Sequence, residues 1–234
     1  MITFYAHQIE GETAWLDAEE SHHCQISLRK KSGDKIYIAD GKGHIWEGMV
    51  TLPDKKQTKV SLDKLIRFIP ETPSEVYLAV APTKNMDRYE WLIEKAVELG
   101  IRGIAPVITK RTERTKINMD RLSKIALSAF KQSLQGYLPV ISEPVTYDQY
   151  LKKMDNHTSK YIAYCGVEGL DHLNEIADNT GGTILIGPEG DFTEDEYQQA
   201  IKGNWKGISL GSQRLRTETA ALAAGYILKL KSGY

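Results

Sequence analysis

The stretch from Thr183 to Ala220, TILIGPEGDFTEDEYQQAIKGNWKGISLGSQRLRTETA, decides the fold class. It reads as an apolar strand (TILI), a glycine-bearing turn, a helix, a second strand (GISL), a charged loop and the opening of another helix. Strands alternating with helices in this way point to an α/β domain on a mostly parallel sheet. The first helix has marked ends. Thr193 and Glu196 stand at capping-box spacing, Phe192 and Tyr197 at staple spacing, and Gly203 is the stop. Upstream, VYLAVAP, GIAPVI and YIAYC repeat the strand pattern. Between the first two of these, Asp87 and Glu90 have capping-box spacing, Met86 and Trp91 form a staple pair, and Gly100 ends a helix whose apolar face is Leu92, Ala96 and Leu99.

Toward the N-terminus the pattern changes. From Met1 to about Arg67 the runs ITFYAHQI, KIYIAD, IWEGMV and KVSLDKLI alternate with period two between turn-rich segments, as in a small β-barrel or sandwich. Glu19 to Lys31 interrupts them as a short helix that ends in a basic cluster and is closed by Ser32-Gly33. The segment IPETPS, Ile69 to Ser74, carries Pro70 and Pro73 and has no periodicity, so it reads as a linker. The expected domains are therefore 1–72 and 73–234.

The chain has 234 residues, 41% of them hydrophobic, enough for one or two compact cores. Lys and Arg number 30 against 31 Asp and Glu, which excludes a generally basic coat and confines any nucleic-acid surface to a local patch. One such patch is the run Lys110, Arg111, Arg114, Lys116, Arg121, Lys124 and Lys131, whereas Glu168 to Ile201 contains no Lys or Arg. Cys24 and Cys165 lie far apart without ligand spacing, which predicts no disulfide framework and no metal site, and reads both as small buried residues in a reducing, cytoplasmic setting. No run approaches a membrane span, and the N-terminus lacks the pattern of a signal peptide.

Three strand ends carry tight loops: YIAYCGVEG, TILIGPEGDF and GISLGSQRLRTETA. In open α/β sheets ligands bind outside the carboxyl ends of the strands, so these loops form a candidate pocket. Gly187 and Gly190 admit close backbone approach and Pro188 stiffens the turn; taken alone, such a loop is also an ordinary glycine turn. In the third loop Arg214, Arg216 and Glu218 alternate ahead of the small-residue run Ala220, Ala221, Ala223, Ala224, Gly225. Thr217 reads as the N-cap of that helix, and Glu218 suits its positive end.

The blocks IGPEGDF, LGSQRLRTETA, TKNMDRYEWLIEKAVELGI (Thr83 to Ile101) and HHCQISLRKKSGD (His22 to Asp34) together resemble the RsmE family of 16S ribosomal RNA uracil-N3 methyltransferases, over essentially the whole chain. The resemblance implies a PUA-like RNA-binding β-barrel followed by a SPOUT α/β domain with a trefoil knot around an S-adenosylmethionine site. It implies methylation of N3 of one specific uridine within the 30S subunit, and a homodimer. Carried onto this chain, cofactor contacts fall on Gly187, Pro188, Glu189, Gly190, Leu210, Gly211 and Leu215, with a contribution around Cys165. The chain departs from the family pattern at Asp191, where a second glycine is usual, around Thr3, and near Gln135 and Gly136, where an arginine is usual; Gln132 and Pro139 are kept.

A sulfonium methyl is already activated, so the enzyme's principal tasks are alignment and exclusion of water, without a catalytic cysteine. Arg216 is the candidate for stabilising charge on the base. Glu218, Glu189 and Asp191 are candidates for receiving the N3 proton. Arg29, Lys30, Lys31, Lys84, Arg111 and Arg114 are candidate phosphate contacts, with His22, His23 and Gln132 as further RNA contacts. One of the two histidines is equally readable as a packed barrel residue, and the pair lacks partners for a metal. Two other readings remain open: a SPOUT enzyme acting on transfer RNA or 23S RNA, and a noncatalytic rRNA-binding assembly protein.

Overall fold

The structure is a computed structural model that describes residues 2–71, 75–154 and 159–233. The chain divides into two compact units: 1–71 together with 127–138, and 72–126 together with 139–234. The expected domain boundary between residues 72 and 73 lies outside the described residues.

The first unit is a sheet of β1 (Thr3–Tyr5), β2 (Gln8–Glu10), β3 (Thr13–Trp15), β4 (Lys35–Ala39), β5 (His44–Leu52) and β6 (Lys59–Phe68). Its order is β1-β4-β5-β6-β3-β2, with β1 and β2 as open edges. Register shifts along β5 and β6 mark bulges, which bend a sheet and increase its twist. The inward side chains Phe4, Leu16, Ile36, Ile38, Val50 and Val60 form one core with Cys24.

The interruption after β3 is shorter than the sequence suggests. Helix α1 (Ala18–His22), capped by Asp17, runs into a π-helical turn His23–Ser27, and Arg29 already lies in the left-handed region at φ 54°. The basic cluster therefore follows the helix instead of ending it. His23 packs against the Phe4 ring with centroids 5.6 Å apart, and His22 is exposed. Residues 127–138 complete this unit. Phe130 meets the Tyr5 ring edge-on, Gly43 N donates to Gly136 O at 2.8 Å, and Lys131 is ion-paired with the buried Glu20.

The second unit holds β7 (Val76–Val80), β8 (Gly103–Ile108), β9 (Val140–Ile141), β10 (Val145–Thr146), β11 (Lys160–Ala163), β12 (Gly182–Ile186) and β13 (Lys206–Ile208). Their order is β10-β8-β7-β12-β11-β13, with β9 also on β8, and every pairing is parallel. Around the sheet run α2 (Met86–Glu98), α3 (Met119–Ser133, whose second half belongs to the first unit), α4 (Tyr147–Lys153), α5 (Leu173–Ile176), α6 (Glu194–Lys202) and α7 (Thr217–Lys231). The apolar runs of β7 and β12 are buried throughout or nearly so, as strands covered on both faces must be.

Helix ends partly follow the sequence. The capping box Thr193/Glu196 forms as read, and Gly100 takes a left-handed φ of 70° just after α2. At the start of α2, however, Asn85 is the cap, its side chain accepting from Asp87 N. Glu90 instead binds Arg121 at 2.7 Å, and Trp91 is exposed instead of stapling the helix start. Asn85 caps because its short acceptor already meets the second helical amide, leaving Asp87 inside the helix.

Candidate functional site

Because the strands are mutually parallel, the loops after β7, β8, β11, β12 and β13 all leave the sheet at one edge. The turn after β12 is the hub. Gly187 leads into it, and Asp191 N closes it on Pro188 O at 2.8 Å. Gly187 is not in the left-handed region. Its constraint is space, because a Cβ there would lie 3.1 Å from Phe192 N and 3.2 Å from Phe192 Cδ2. Asp191 is the residue that does take a left-handed φ, of 62°.

Each neighbouring loop is tied to this turn by a named bond. Lys84 N donates to Glu189 Oε1 at 3.0 Å, and Cys165 N to Asp191 Oδ2 at 3.0 Å. The Arg111 guanidinium donates to Gly190 O at 2.7 Å and Phe192 O at 3.1 Å. The Thr217 hydroxyl donates to Gly187 O at 3.1 Å in a buried setting. Thr217 is therefore not the cap of α7. Arg216 occupies that position without a side-chain cap bond, and Thr217 is the first helical residue. The small residues of α7 act through packing: a Cβ on Gly225 would come within 3.1 Å of Leu78 and Ile101.

Charge is arranged around the loops in two ways. Several expected phosphate binders have intramolecular partners: Lys84 with Glu113 at 3.0 Å, Lys110 with Asp195 at 3.3 Å, and Arg111 with the two carbonyls above. Others point to solvent or line open space. Arg114 and Lys116 border a cleft of about 480 Å³ with Asn118 and Arg121, and Arg216 is exposed. Among the described residues no hydrogen bond or ion pair holds the Arg216 guanidinium.

The three candidate carboxylates differ. Glu189 and Asp191 accept backbone amides of neighbouring loops, whereas Glu218 is buried in the first turn of α7 with the Arg88 guanidinium 3.9 Å away. Cys165 is exposed, against the expectation of a buried residue, while Cys24 is buried. Partial burial and the Asp191 carboxylate push the Cys165 thiol up, and Arg214 opposes this.

What the loops offer a ligand is backbone. Among the described residues the amides of Glu189 and Gly190, and both backbone groups of Leu210, make no hydrogen bond within the chain. Gly211 has a left-handed φ of 108° and nothing within 4 Å of where a Cβ would stand. Unpaired donors and acceptors on one rim suit the edge of a purine and a carboxylate, which fits S-adenosylmethionine. Leu215, in the same loop as Gly211, is half-buried. Reasoning from sequence missed the two groups that brace the rim, the Thr217 hydroxyl and the Glu196 carboxylate, which accepts from Lys110 N at 2.8 Å. The capping box advertised Glu196 as a local cap only. Arg29, Lys30, Lys31, His22, His23 and Gln132 all fall in the first unit, with Lys30 Nζ on Lys35 O at 3.3 Å.

Comparison with known proteins agrees with both units. A model of the RNA methyltransferase domain matches residues 70–229, and a model of the RNA methyltransferase PUA domain matches residues 16–63. The ribosomal RNA small subunit methyltransferase E of Rickettsia conorii is 34% identical over 206 residues, 87% of this chain and 83% of that protein. The crystal structure of a probable rRNA-methyltransferase from Porphyromonas gingivalis superposes with a TM-score of 0.88 at 32% identity, over 99% of this chain and 98% of that one. A ribosomal RNA small subunit methyltransferase E from Neisseria gonorrhoeae, bound to S-adenosyl methionine, gives 0.82 at 29% identity over 96% and 94%.

Proposed function

Since the chain belongs to the RNA methyltransferase family of the ribosomal RNA small subunit methyltransferases E, we propose that it transfers a methyl group from S-adenosylmethionine to N3 of one uridine of 16S rRNA in the 30S subunit. The observation that carries the reading is the rim of unpaired backbone at Glu189, Gly190 and Leu210, braced by Thr217, Arg111 and Asp191. When bound, the cofactor supplies a methyl group already activated on a sulfonium. The chain's part is to hold, orient and exclude water. Gly187 to Gly190, Leu210, Gly211 and Leu215 are the holding residues, with Cys165 at the flank.

In this reading Arg216, exposed at the start of α7 and held by no other group among the described residues, binds a uracil carbonyl as negative charge develops. Glu218 is the carboxylate best suited to take up the N3 proton, because Glu189 and Asp191 already serve backbone amides. Arg29, Lys31 and Arg114 grip the flanking phosphates, and replacing all three should flatten the salt dependence of RNA affinity by about one unit of slope per lost contact. The knot belongs to the same reading.

A homodimer is part of the proposal. Helices α2 and α7 pack on each other and leave Trp91, Tyr226 and Leu230 exposed by 45%, 44% and 53%, apolar area that a second copy would cover. Light scattering at micromolar concentration should give twice the chain mass. The same reading places the protein in the cytoplasm with its 30S substrate. Among the described residues no helix is long and apolar enough to cross a membrane.

The deciding experiment incubates the protein with S-adenosylmethionine and either naked 16S RNA or 30S subunits, then maps modified uridines by mass spectrometry. One N3-methyluridine is expected. A methyl group at another atom, or none on either substrate, overturns the reading.

A further inference from the structure

Asp191 combines a left-handed backbone with a carboxylate shared between two loops. Its backbone sits at φ 62°, a region that favours glycine and that aspartate enters more readily than most other residues. Its carboxylate is divided between two backbone amides, Phe192 N at 2.7 Å on Oδ1 and Cys165 N at 3.0 Å on Oδ2, the second 26 residues away in sequence. Along with partial burial, the same carboxylate pushes the Cys165 thiol up. The other tethers to the β12 turn start from the loops after β7 and β8 and from α7. Among the described residues, only the carboxylate of Asp191 ties this turn by a hydrogen bond to the loop after β11.

From this we infer that Asp191 is a positioning residue for the cofactor rim: its side chain clasps the end of β11 to the β12 turn and so fixes where the unpaired amides of Glu189 and Gly190 stand. The proposal rests on the methyltransferase reading of this edge. Glycine at 191 would keep the turn, since it enters the left-handed region freely, but would release the β11 loop. Asparagine would keep the left-handed tendency but offer one acceptor oxygen for two amides, turning its NH2 donor toward the other. The turn and the clasp are thus separable by substitution.

The experiment compares the full chain with Asp191→Gly and Asp191→Asn by hydrogen exchange at the Cys165 amide, calorimetric affinity for S-adenosylmethionine, and steady-state methylation of 30S subunits. In Asp191→Gly the Cys165 amide should exchange about tenfold faster or more, because its acceptor is gone. Affinity should fall about five- to tenfold and KM for the cofactor should rise in step, while kcat at saturating cofactor stays within about twofold. Asp191→Asn, with one acceptor for two amides, should fall between Asp191→Gly and the parent on both readouts. A merely structural role would instead lower the melting temperature without separating KM from kcat.

Parent-like affinity in Asp191→Gly overturns the clasp, as does an unchanged Cys165 exchange rate. If Asp191→Asn binds as weakly as Asp191→Gly while its Cys165 amide stays protected, negative charge and not the clasp is what the cofactor needs, and the proposal falls. A parent protein that binds no S-adenosylmethionine removes the methyltransferase reading and this proposal together, whereas normal parent binding with an indifferent Asp191→Gly removes the proposal alone.

Discussion

Adding one carbon at Gly187 tests whether the β12 turn is held by packing. A Cβ there meets Phe192 N at 3.1 Å, Asp191 C at 3.2 Å and Phe192 Cδ2 at 3.2 Å. None of these atoms ends a flexible side chain: two are backbone, and the Phe192 ring is 1% exposed within a filled core. Relief therefore requires the turn itself to shift by a few tenths of an ångström. Overpacking of this kind costs about 1–3 kcal/mol, and in a chain of this size each kcal/mol lowers Tm by about 2–4 °C. The shift moves Gly187 O away from the Thr217 hydroxyl and displaces Glu189 and Gly190, so cofactor affinity should fall about tenfold or more, equivalent to about 1.4 kcal/mol. Gly190→Ala is the internal control for melting temperature alone, because a Cβ there makes only ordinary contact with Arg111 Cδ at 3.5 Å and Cβ at 3.6 Å, whereas Gly190 is itself a holding residue for the cofactor. Differential scanning fluorimetry and calorimetric titration with S-adenosylmethionine on Gly187→Ala, Gly190→Ala and the parent give both quantities. The reasoning fails if Gly187→Ala melts within about a degree of the parent and binds the cofactor equally well, since overpacking predicts a larger change on each axis.

Arg216→Ala should slow single-turnover methylation about a hundredfold or more while cofactor affinity stays within about threefold, the pattern of a charge acting at the reacting centre; parallel loss of both in a folded variant would assign Arg216 to loop structure. Lys131→Ala should destabilise the chain by about 3–5 kcal/mol in denaturant titration, because it strands the buried Glu20 carboxylate. A change below about 1 kcal/mol would return Lys131 to the solvated basic run. Cys165, although exposed, should alkylate slowly near neutral pH: partial burial and the Asp191 carboxylate raise its pKa, so the thiolate is scarcer than in a free thiol, and its rate should climb only at more alkaline pH. Asp191→Asn should lower that midpoint, and a parent midpoint at or below that of a free thiol would contradict the geometry.

Periodicity and punctuation determined the order of strands and helices, the two-part division, and the edge of the sheet that carries the loops, because burial on one face or two imposes a repeat that local sequence must display. TILI, VYLAV and GIAPVI became β12, β7 and β8 as written, and Thr193 with Glu196 formed the expected box. The candidate rim residues were legible for the same reason, since glycines and loops flank recognisable strands. What sequence could not display is which partner a polar group finds across the fold. Thr217 looked like a cap and is a cross-loop donor; Glu90 looked like a cap partner and binds Arg121; Lys131 looked like the end of a basic run and neutralises Glu20. The return of residues 127–138 to the first unit left no mark in the helical repeat of α3, because a helix repeats alike whatever surface it covers. Hydrogen bonds and ion pairs are decided by distances of a few ångströms between residues tens of positions apart, and only the tertiary structure sets those distances.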